Sequence, residues 1–502
     1  MSDKPITVLV NGEALSLAKG AKLSEAISIE HPCGGHGKCG KCKVVATGEL
    51  SDITDTERAL LTDEELSLGV RLACLTRALG NCVVSYDSEC SRAVIAEGGD
   101  SPRIEISPMF KEYGAVIDLG TTTIAARLYN KRGELLSSSS CLNSQISRGA
   151  DVISRIESAL GGDAERLAVA VRGDVDRTIC ELAERAEVSR SEIDAVVITG
   201  NTAMLTLLTG EDAEPLSRSP FLAKRLFGET VDCDDLGLKS LVGGTRVYFP
   251  PCVSAFVGAD LISAVLATEL YKQPLAMLVD IGTNGEMALF RDGKLTVCST
   301  AAGPAFEGVG ISCGMRSESG AIDSVTYTDG RPEVQVIGGG AATGICGSGL
   351  VDAVAYLLEV GRLDESGLLE TSPMPISDSV TLSQKDIRML QLSKSAICAG
   401  LTTLARSTVG STDKVPVIYV AGGFGSYLDK ENAAKIGLIP ADLSRVAVSV
   451  GNAALVGASM LLLNSALLPV ATELARSAAL LDLSTNRLFI DSYVEGMYFT
   501  QI

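Results

Sequence analysis

Residues 31–42 read HPCGGHGKCGKC, which sets Cys33, Cys39 and Cys42 in a C-x5-C-x2-C array, with Cys74 following in RLACLTRAL. Four thiolates are the number that a 2Fe-2S cluster requires. Gly34, Gly35, Gly37 and Gly40 suit such a loop, because several thiolates must aim inward while backbone N–H groups reach the sulfurs, and side chains would obstruct that. A zinc site also takes four cysteines, but it usually presents two C-x2-C pairs, and only one is visible here. A Rieske centre needs two histidines from paired loops, whereas the chain's 2 histidines, His31 and His36, both lie in the first loop. Cys82 and Cys90 are alternatives to Cys74 as the fourth ligand, although their spacing reads better as core.

A second chemistry is written in repeated turns. GAVIDLGTTTIAARLYN ends a buried strand at Asp118, turns through Gly120, Thr121, Thr122 and Thr123, and resumes as an apolar strand. Glycine lets a backbone approach an anion while hydroxyl and N–H groups face it, which suits phosphate. LAMLVDIGTNGEMALF repeats the pattern 162 residues later with Asp280, Gly282, Thr283, Asn284 and Gly285. Two copies of strand-Asp-x-Gly-Thr-turn-strand predict two related lobes facing one ligand. VIYVAGGFGSYL places Gly422, Gly423 and Gly425 after a third buried strand. TGNTAM at Gly200–Met204 and VGNAALVGA at Gly451–Ala458 read as a matched pair of turns, each opening a helix. GPAFEG at Gly303–Gly308 and TGICGSGL at Thr343–Leu350 either line the cleft or pack helices closely. Cys313 and Cys346, nearby, have no metal-ligand spacing.

These residues need frames to hold them. ITVLVNG and ALSLA read as a hairpin around Asn-Gly, KLSEAISI as a short helix and KCKVVATGEL as a strand beyond the cluster loop, an order that matches a β-grasp. Residues 1–92 thus resemble ferredoxins of the C-x5-C-x2-C type, departing from the plant-type C-x4-C-x2-C spacing. Residues 93–112, with Gly98-Gly99, Pro102 and Pro108, read as a linker, and a new domain occupies 113–502. A chain of 502 residues exceeds what one core serves, so at least two packing units are expected. A formal charge of -19 repels polyphosphate backbones and excludes nucleic acid as a partner class. The N-terminus lacks an apolar run with a cleavage site, which predicts a cytoplasmic protein. Val446–Thr472 carries no charge, yet Asn452, Ser459, Asn464, Ser465 and Pro469 interrupt it, and it reads as a turn and a fully buried helix with no membrane partner. Most of the 14 cysteines are expected to be small buried hydrophobes.

On these motifs, residues 113–502 are similar to the acetate and sugar kinase, Hsp70 and actin (ASKHA) superfamily. The expected fold class is therefore α/β, a two-lobed actin-like (ribonuclease H-like) ATPase dividing near residue 255, behind an N-terminal α+β ferredoxin. The fusion itself, together with NSQISRGADVISRIE at Asn143–Glu157, resembles reductive activators of corrinoid-dependent methyltransferases. The resemblance implies that Asp118 to Thr123 form the first phosphate loop, Asp280 to Gly285 the second and Gly422 to Gly425 the adenosine loop. Mg2+ with ATP calls for nearby carboxylates, and Asp118 and Asp280 are placed for it. Asp260, in VGADLISAVLA, is implied to orient the attacking water, with Glu286 as a second candidate; N-cap or turn chemistry explains Asp260 equally well. Thr121, Thr122 and Thr283 are expected to donate hydroxyls to phosphate, or else to satisfy local backbone.

The implied activity is ATP-dependent transfer of an electron from the cluster to cobalt(II) of a corrinoid protein, restoring cobalt(I). A cellular low-potential electron donor is the other expected partner, and a homodimer is compatible with the reading. The alternative is a small-molecule kinase with a redox-sensing ferredoxin domain. A nucleotide-binding filament protein ranks third.

Overall fold

The computed structural model describes residues 6–27, 37, 40, 42–86, 104–328 and 331–500. They divide into two compact units, Met1–Cys90 with Asn143–Val171, and Ser91–Leu142 with Arg172–Ile502.

In the first unit, β1 (Ile6–Val10) and β2 (Glu13–Leu17) form the expected hairpin. Its two turn residues, Asn11 and Gly12, both take positive φ, 47° and 92°, the pair of values that matches the twist of the flanking strands. With β3 (Lys43–Leu50), β4 (Val70–Leu72) and β5 (Ala78–Ser85) they build a sheet in the order β2-β1-β5-β3-β4. The β1 and β5 strands run parallel at its centre, as in a β-grasp. Strict alternation along β5 turns Cys82 inward, where it is a core residue as its spacing predicts. KLSEAISI is a single 3-10 turn, Leu23–Glu25, in its described part. The N–H groups of Leu23 and Ser24 are drawn off to Thr76 O and Ala73 O, at 2.9 and 3.1 Å, which ties the segment to the loop around Cys74.

Asn143–Val171 is grouped with the first unit. It follows the last strand of a hairpin sheet and supplies its own polar framework. Buried Arg155 donates from Nε to Gly149 O at 2.9 Å and from Nη1 to Gln145 Oε1 at 3.3 Å.

In the second unit, β6 (Tyr113–Leu119), β7 (Thr123–Asn130), β8 (Leu135–Leu142), β9 (Ile193–Gly200), β10 (Glu229–Asp232) and β11 (Arg246–Phe249) make a sheet in the order β10-β11-β9-β6-β7-β8. A second sheet repeats the plan. Its β12 (Leu275–Ile281), β13 (Asn284–Arg291) and β14 (Lys294–Ala301) form the antiparallel meander. After a small sheet of β15 (Ala321–Thr328), β16 (Arg331–Val336) and β17 (Gly344–Ile345), and a β18 (Met374–Pro375) and β19 (Thr381–Leu382) pair, the chain returns to it. There β20 (Ile418–Ala421) lies parallel to β12, followed outward by β21 (Ala447–Gly451), while β22 (Ala479–Leu480) borders β14.

Between the sheets pack two apolar helices, Ala259–Ala267 and Ala453–Leu463. They approach so closely that a Cβ on Gly457 would stand 1.7 Å from Ser263 O. That crossing, with Leu261, Val265, Leu455 and Leu461 fully buried around it, brings the N-termini of both helices to one place. The second helix is the apolar stretch read from the sequence as buried, and among the described residues no helix is long and apolar enough to cross a membrane.

Candidate functional site

Two sites emerge, one in each unit. In the first, Cys42 and Cys74 are both buried, with their sulfurs 3.3 Å apart. That is far beyond the 2.05 Å of a disulfide and close to the roughly 3.8 Å between two thiolates on one tetrahedral metal with bonds of about 2.3 Å. Cys33 and Cys39 lie outside the described residues. The loop bearing Cys74 is held by buried Glu57, which accepts from Arg71 Nε at 2.9 Å, Leu72 N at 3.2 Å and Thr76 Oγ1 at 3.0 Å. Burial alone would raise the Glu57 pKa, but the Arg71 guanidinium and backbone donors outweigh it and hold the carboxyl down at about 2.

The second site is a cavity of about 260 Å³ between the two six-stranded sheets. Its floor is made where β6 and β12 end. Gly120 N–H closes the first turn on Thr123 O at 3.1 Å, and Gly282 N–H closes the second on Asn284 O at 3.0 Å. Gly422 carries the turn after β20 directly over Asp280. At its φ of 95° any Cβ would meet Ile281 O at 2.6 Å and Asp280 Oδ1 at 2.8 Å, so only glycine fits. The matched turns after β9 and β21 do open helices, and each does so through an asparagine. Asn201 Oδ1 accepts from Met204 N at 2.9 Å and Asn452 Oδ1 from Leu455 N at 2.8 Å, capping Thr202–Thr209 and Ala453–Leu463. Both amides then reach the first loop, Asn201 Nδ2 to Thr121 Oγ1 at 3.1 Å and Asn452 Nδ2 to Asp118 Oδ2 at 2.8 Å.

Asp118, Asp260, Asp280 and Glu286 all line this cavity. Asp280 and Glu286 are direct cross-strand partners in the β12/β13 pairing, so their side chains share a face. Burial pushes Asp118 up to about 7, against the pull of the Asn452 amide, and the Asp260 charge adds to it. Burial likewise takes Asp280 to about 7, with help from Asp260 and Asp118. Glu286 is raised well above the ordinary range by burial and by the charges of Asp260 and Asp280, and Asp260 is raised by burial as well. Glu286 Oε2 is buried and has no hydrogen-bond partner among the described residues. Four converging acids that resist ionisation, one with an unused oxygen, form a donor set that fits a hard divalent cation.

Of the residues proposed from the sequence, Gly120, Thr121, Thr122, Thr123, Gly282, Thr283, Asn284, Gly422 and Gly423 line the cavity together with the four acids. Gly285 and Gly425 do not. A Cβ on Gly285 would strike Ile397 Cδ1 at 2.3 Å and one on Gly425 would meet Val420 Cγ1 at 2.9 Å, so these two are packing glycines behind the site. Sequence reasoning missed Glu307, Phe306, Arg316 and Tyr427, which also line it. The GPAFEG turn was legible as a cleft candidate by its glycines, but nothing in it marks the glutamate. That glutamate bridges the loops, accepting from Thr283 Oγ1 at 2.8 Å on Oε1 and from Thr122 Oγ1 on Oε2.

Comparison with known proteins gives the class first. Residues 2–79 match the 2Fe-2S iron-sulfur cluster binding domain, residues 113–273 the RACo middle region and residues 274–502 the C-terminal domain of RACo, the ASKHA domain. The chain therefore joins an iron-sulfur domain to an ASKHA-type ATPase domain of actin-like fold. It is 28% identical to the corrinoid activation enzyme RamQ of Eubacterium limosum, over 96% of each chain. It is 25% identical to the Co(II) methylated amine-specific corrinoid protein reductase of Methanosarcina barkeri, over 78% of this chain and 77% of that one. A solved structure of a reductive activator for corrinoid, iron-sulfur protein covers 98% of each chain at 27% identity, with a TM-score of 0.73. The chain belongs to this family of corrinoid-protein activators.

Proposed function

We propose that this chain uses ATP to drive one electron from its 2Fe-2S centre onto cobalt(II) in the corrinoid of a partner methyltransferase protein, leaving cobalt(I). The carrying observation is that one chain brings Asp118 and Asp280 together at the mouths of two glycine-threonine turns and also pairs Cys42 with Cys74. In this reading residues 1–92 are the ferredoxin domain, 93–112 the linker and 113–502 the ATPase domain, its lobes dividing near 255.

Cys33, Cys39, Cys42 and Cys74 are the residues that would hold the cluster, which when bound supplies a one-electron carrier. Asp118 and Asp280 would hold Mg2+ directly or through its waters, offsetting the burial and the neighbouring charges that raise their pKa values. Thr121, Thr122 and Thr283 donate to phosphate oxygens, and Gly422 and Gly423 leave room for the nucleoside. Asp260, in the first turn of its helix, accepts from Leu261 N at 2.9 Å and shares a side-chain hydrogen bond with Glu286, and this acidic pair would orient the attacking water. Nucleotide moves the two sheets' loops between states that bind the partner differently, since a ligand shifts an equilibrium only by its differential affinity. A low-potential cellular donor and a cytoplasmic setting accompany this reading.

The test is to mix chemically reduced protein, Mg-ATP and a cobalt(II) corrinoid protein anaerobically and to follow the visible spectrum. Cobalt(I) should appear only with ATP. Phosphorylation of an added acid or sugar, with no cobalt(I), would establish the small-molecule kinase instead.

A further inference from the structure

Glu307 holds an unusual place in the cleft. It ends the 3-10 turn Pro304–Glu307, whose N-cap, Gly303, is anchored to the second loop by its N–H on Thr283 O at 2.9 Å. The preceding Phe306 stacks on Phe424 in the turn after β20, centroids 4.7 Å apart. From this fixed base the carboxylate takes the Thr283 hydroxyl on one oxygen, at 2.8 Å, and the Thr122 hydroxyl, from the opposite sheet's loop, on the other. Both threonines are more than nine-tenths buried.

Each threonine hydroxyl has a single proton to give. It cannot serve Glu307 and a phosphate oxygen at once. A carboxylate and a phosphate are also alike in what they offer: negative charge and oxygens that accept strong charge-assisted bonds. We infer that Glu307 is a positioning residue that stands in for phosphate in the nucleotide-free chain, fastening the two loops to each other, and that nucleotide binds by taking its two hydroxyls away.

The inference rests on the reading that these threonines bind phosphate, and it adds what they do before phosphate arrives. It makes Glu307 a brake on nucleotide affinity. Glu307→Ala removes both acceptors, and Glu307→Gln removes the charge and one of the two acceptors; either change should free at least one hydroxyl and relieve a repulsion, tightening nucleotide by roughly tenfold, the scale of one hydrogen bond to a charged group. It also explains why a residue unlike any phosphate ligand sits between two phosphate loops. A carboxylate there would otherwise only oppose the anion.

The experiment is calorimetric titration of the full chain with Mg-AMPPNP, for wild type, Glu307→Gln and Glu307→Ala, and for each with Thr122→Val added. Both Glu307 variants should bind about tenfold more tightly, and the KM for ATP should fall. Thr122→Val should weaken binding more in the Glu307→Ala background than in wild type, where the same hydroxyl is partly occupied. A Glu307 residue that merely braced the fold would give no such coupling. Glu307→Gln keeps the side-chain volume and so tests the idea even where Glu307→Ala melts early. Wild-type binding with unchanged or weaker binding in both variants would overturn the inference alone, whereas no binding by any of the proteins would overturn the nucleotide reading beneath it.

Discussion

In the first glycine-threonine turn the residue opposite Asp118 across the hairpin is Ala125, and in the second the residue opposite Asp280 is Glu286. The two turns descend from one pattern, yet they are braced by different chemistry. Asp118 and Thr121 each receive a neutral amide, from Asn452 and Asn201, and both amides belong to helix caps that hold with or without ligand. Asp280 in the second turn faces a carboxylate instead, Glu286, while Glu307 takes one hydroxyl from each loop, Thr122 and Thr283. A repeated strand frame brings two aspartates to one cavity, but an amide braces Asp118 and a carboxylate faces Asp280, so on the proposed function the second aspartate leans more on a cation.

The largest expected effect follows from that asymmetry. Asp280→Asn should lower ATP hydrolysis by on the order of 10²-fold or more and Asp118→Asn by less, because an asparagine at 118 can still accept from Asn452. Steady-state phosphate release measures both, and equal losses would break the comparison. Next comes pH. Asp118 and Asp280 have folded pKa values of about 7 against a usual 3.8, so without metal they favour the fold fully below about pH 4 and that contribution fades as pH rises towards 7. The metal-free chain should melt several degrees lower at pH 8 than at pH 5, and Mg2+ should recover the difference at pH 8. Asp280→Asn should flatten the profile in scanning calorimetry, and a profile rising from pH 5 to 8 without metal would contradict the assignment. Smaller still, Asn452→Ala should cost about 2 kcal/mol and Asn201→Ala about 1 kcal/mol in denaturant unfolding, since each loses a cap and the first also loses a bond to a carboxylate.

The strand-Asp-x-Gly-Thr repeat was legible in the sequence because a buried strand, a turn and a second strand are all local patterns, and together they located the cavity floor. The asparagine turns were legible as a pair for the same reason. Their convergence on Thr121 and Asp118 was not, because the partners lie 80 and 334 residues apart in the chain and only the folded sheets bring them together. Glu307 escaped for a similar cause: its partners lie 185 and 24 residues away, and only the folded chain joins them. Gly285 and Gly425 face Ile397 and Val420, and a glycine that admits such a side chain looks in sequence like one that admits phosphate.

On the proposed function the carboxylate cleft drives the electron rather than merely accompanying it. The direct measurement compares wild type and Asp280→Asn, each reduced and showing the same paramagnetic cluster signal, in their ATP-dependent production of cobalt(I) in a corrinoid protein. Wild type should build up the cobalt(I) absorption band, while Asp280→Asn should keep its cluster signal and produce almost none. Equal cobalt(I) from both proteins would contradict the account.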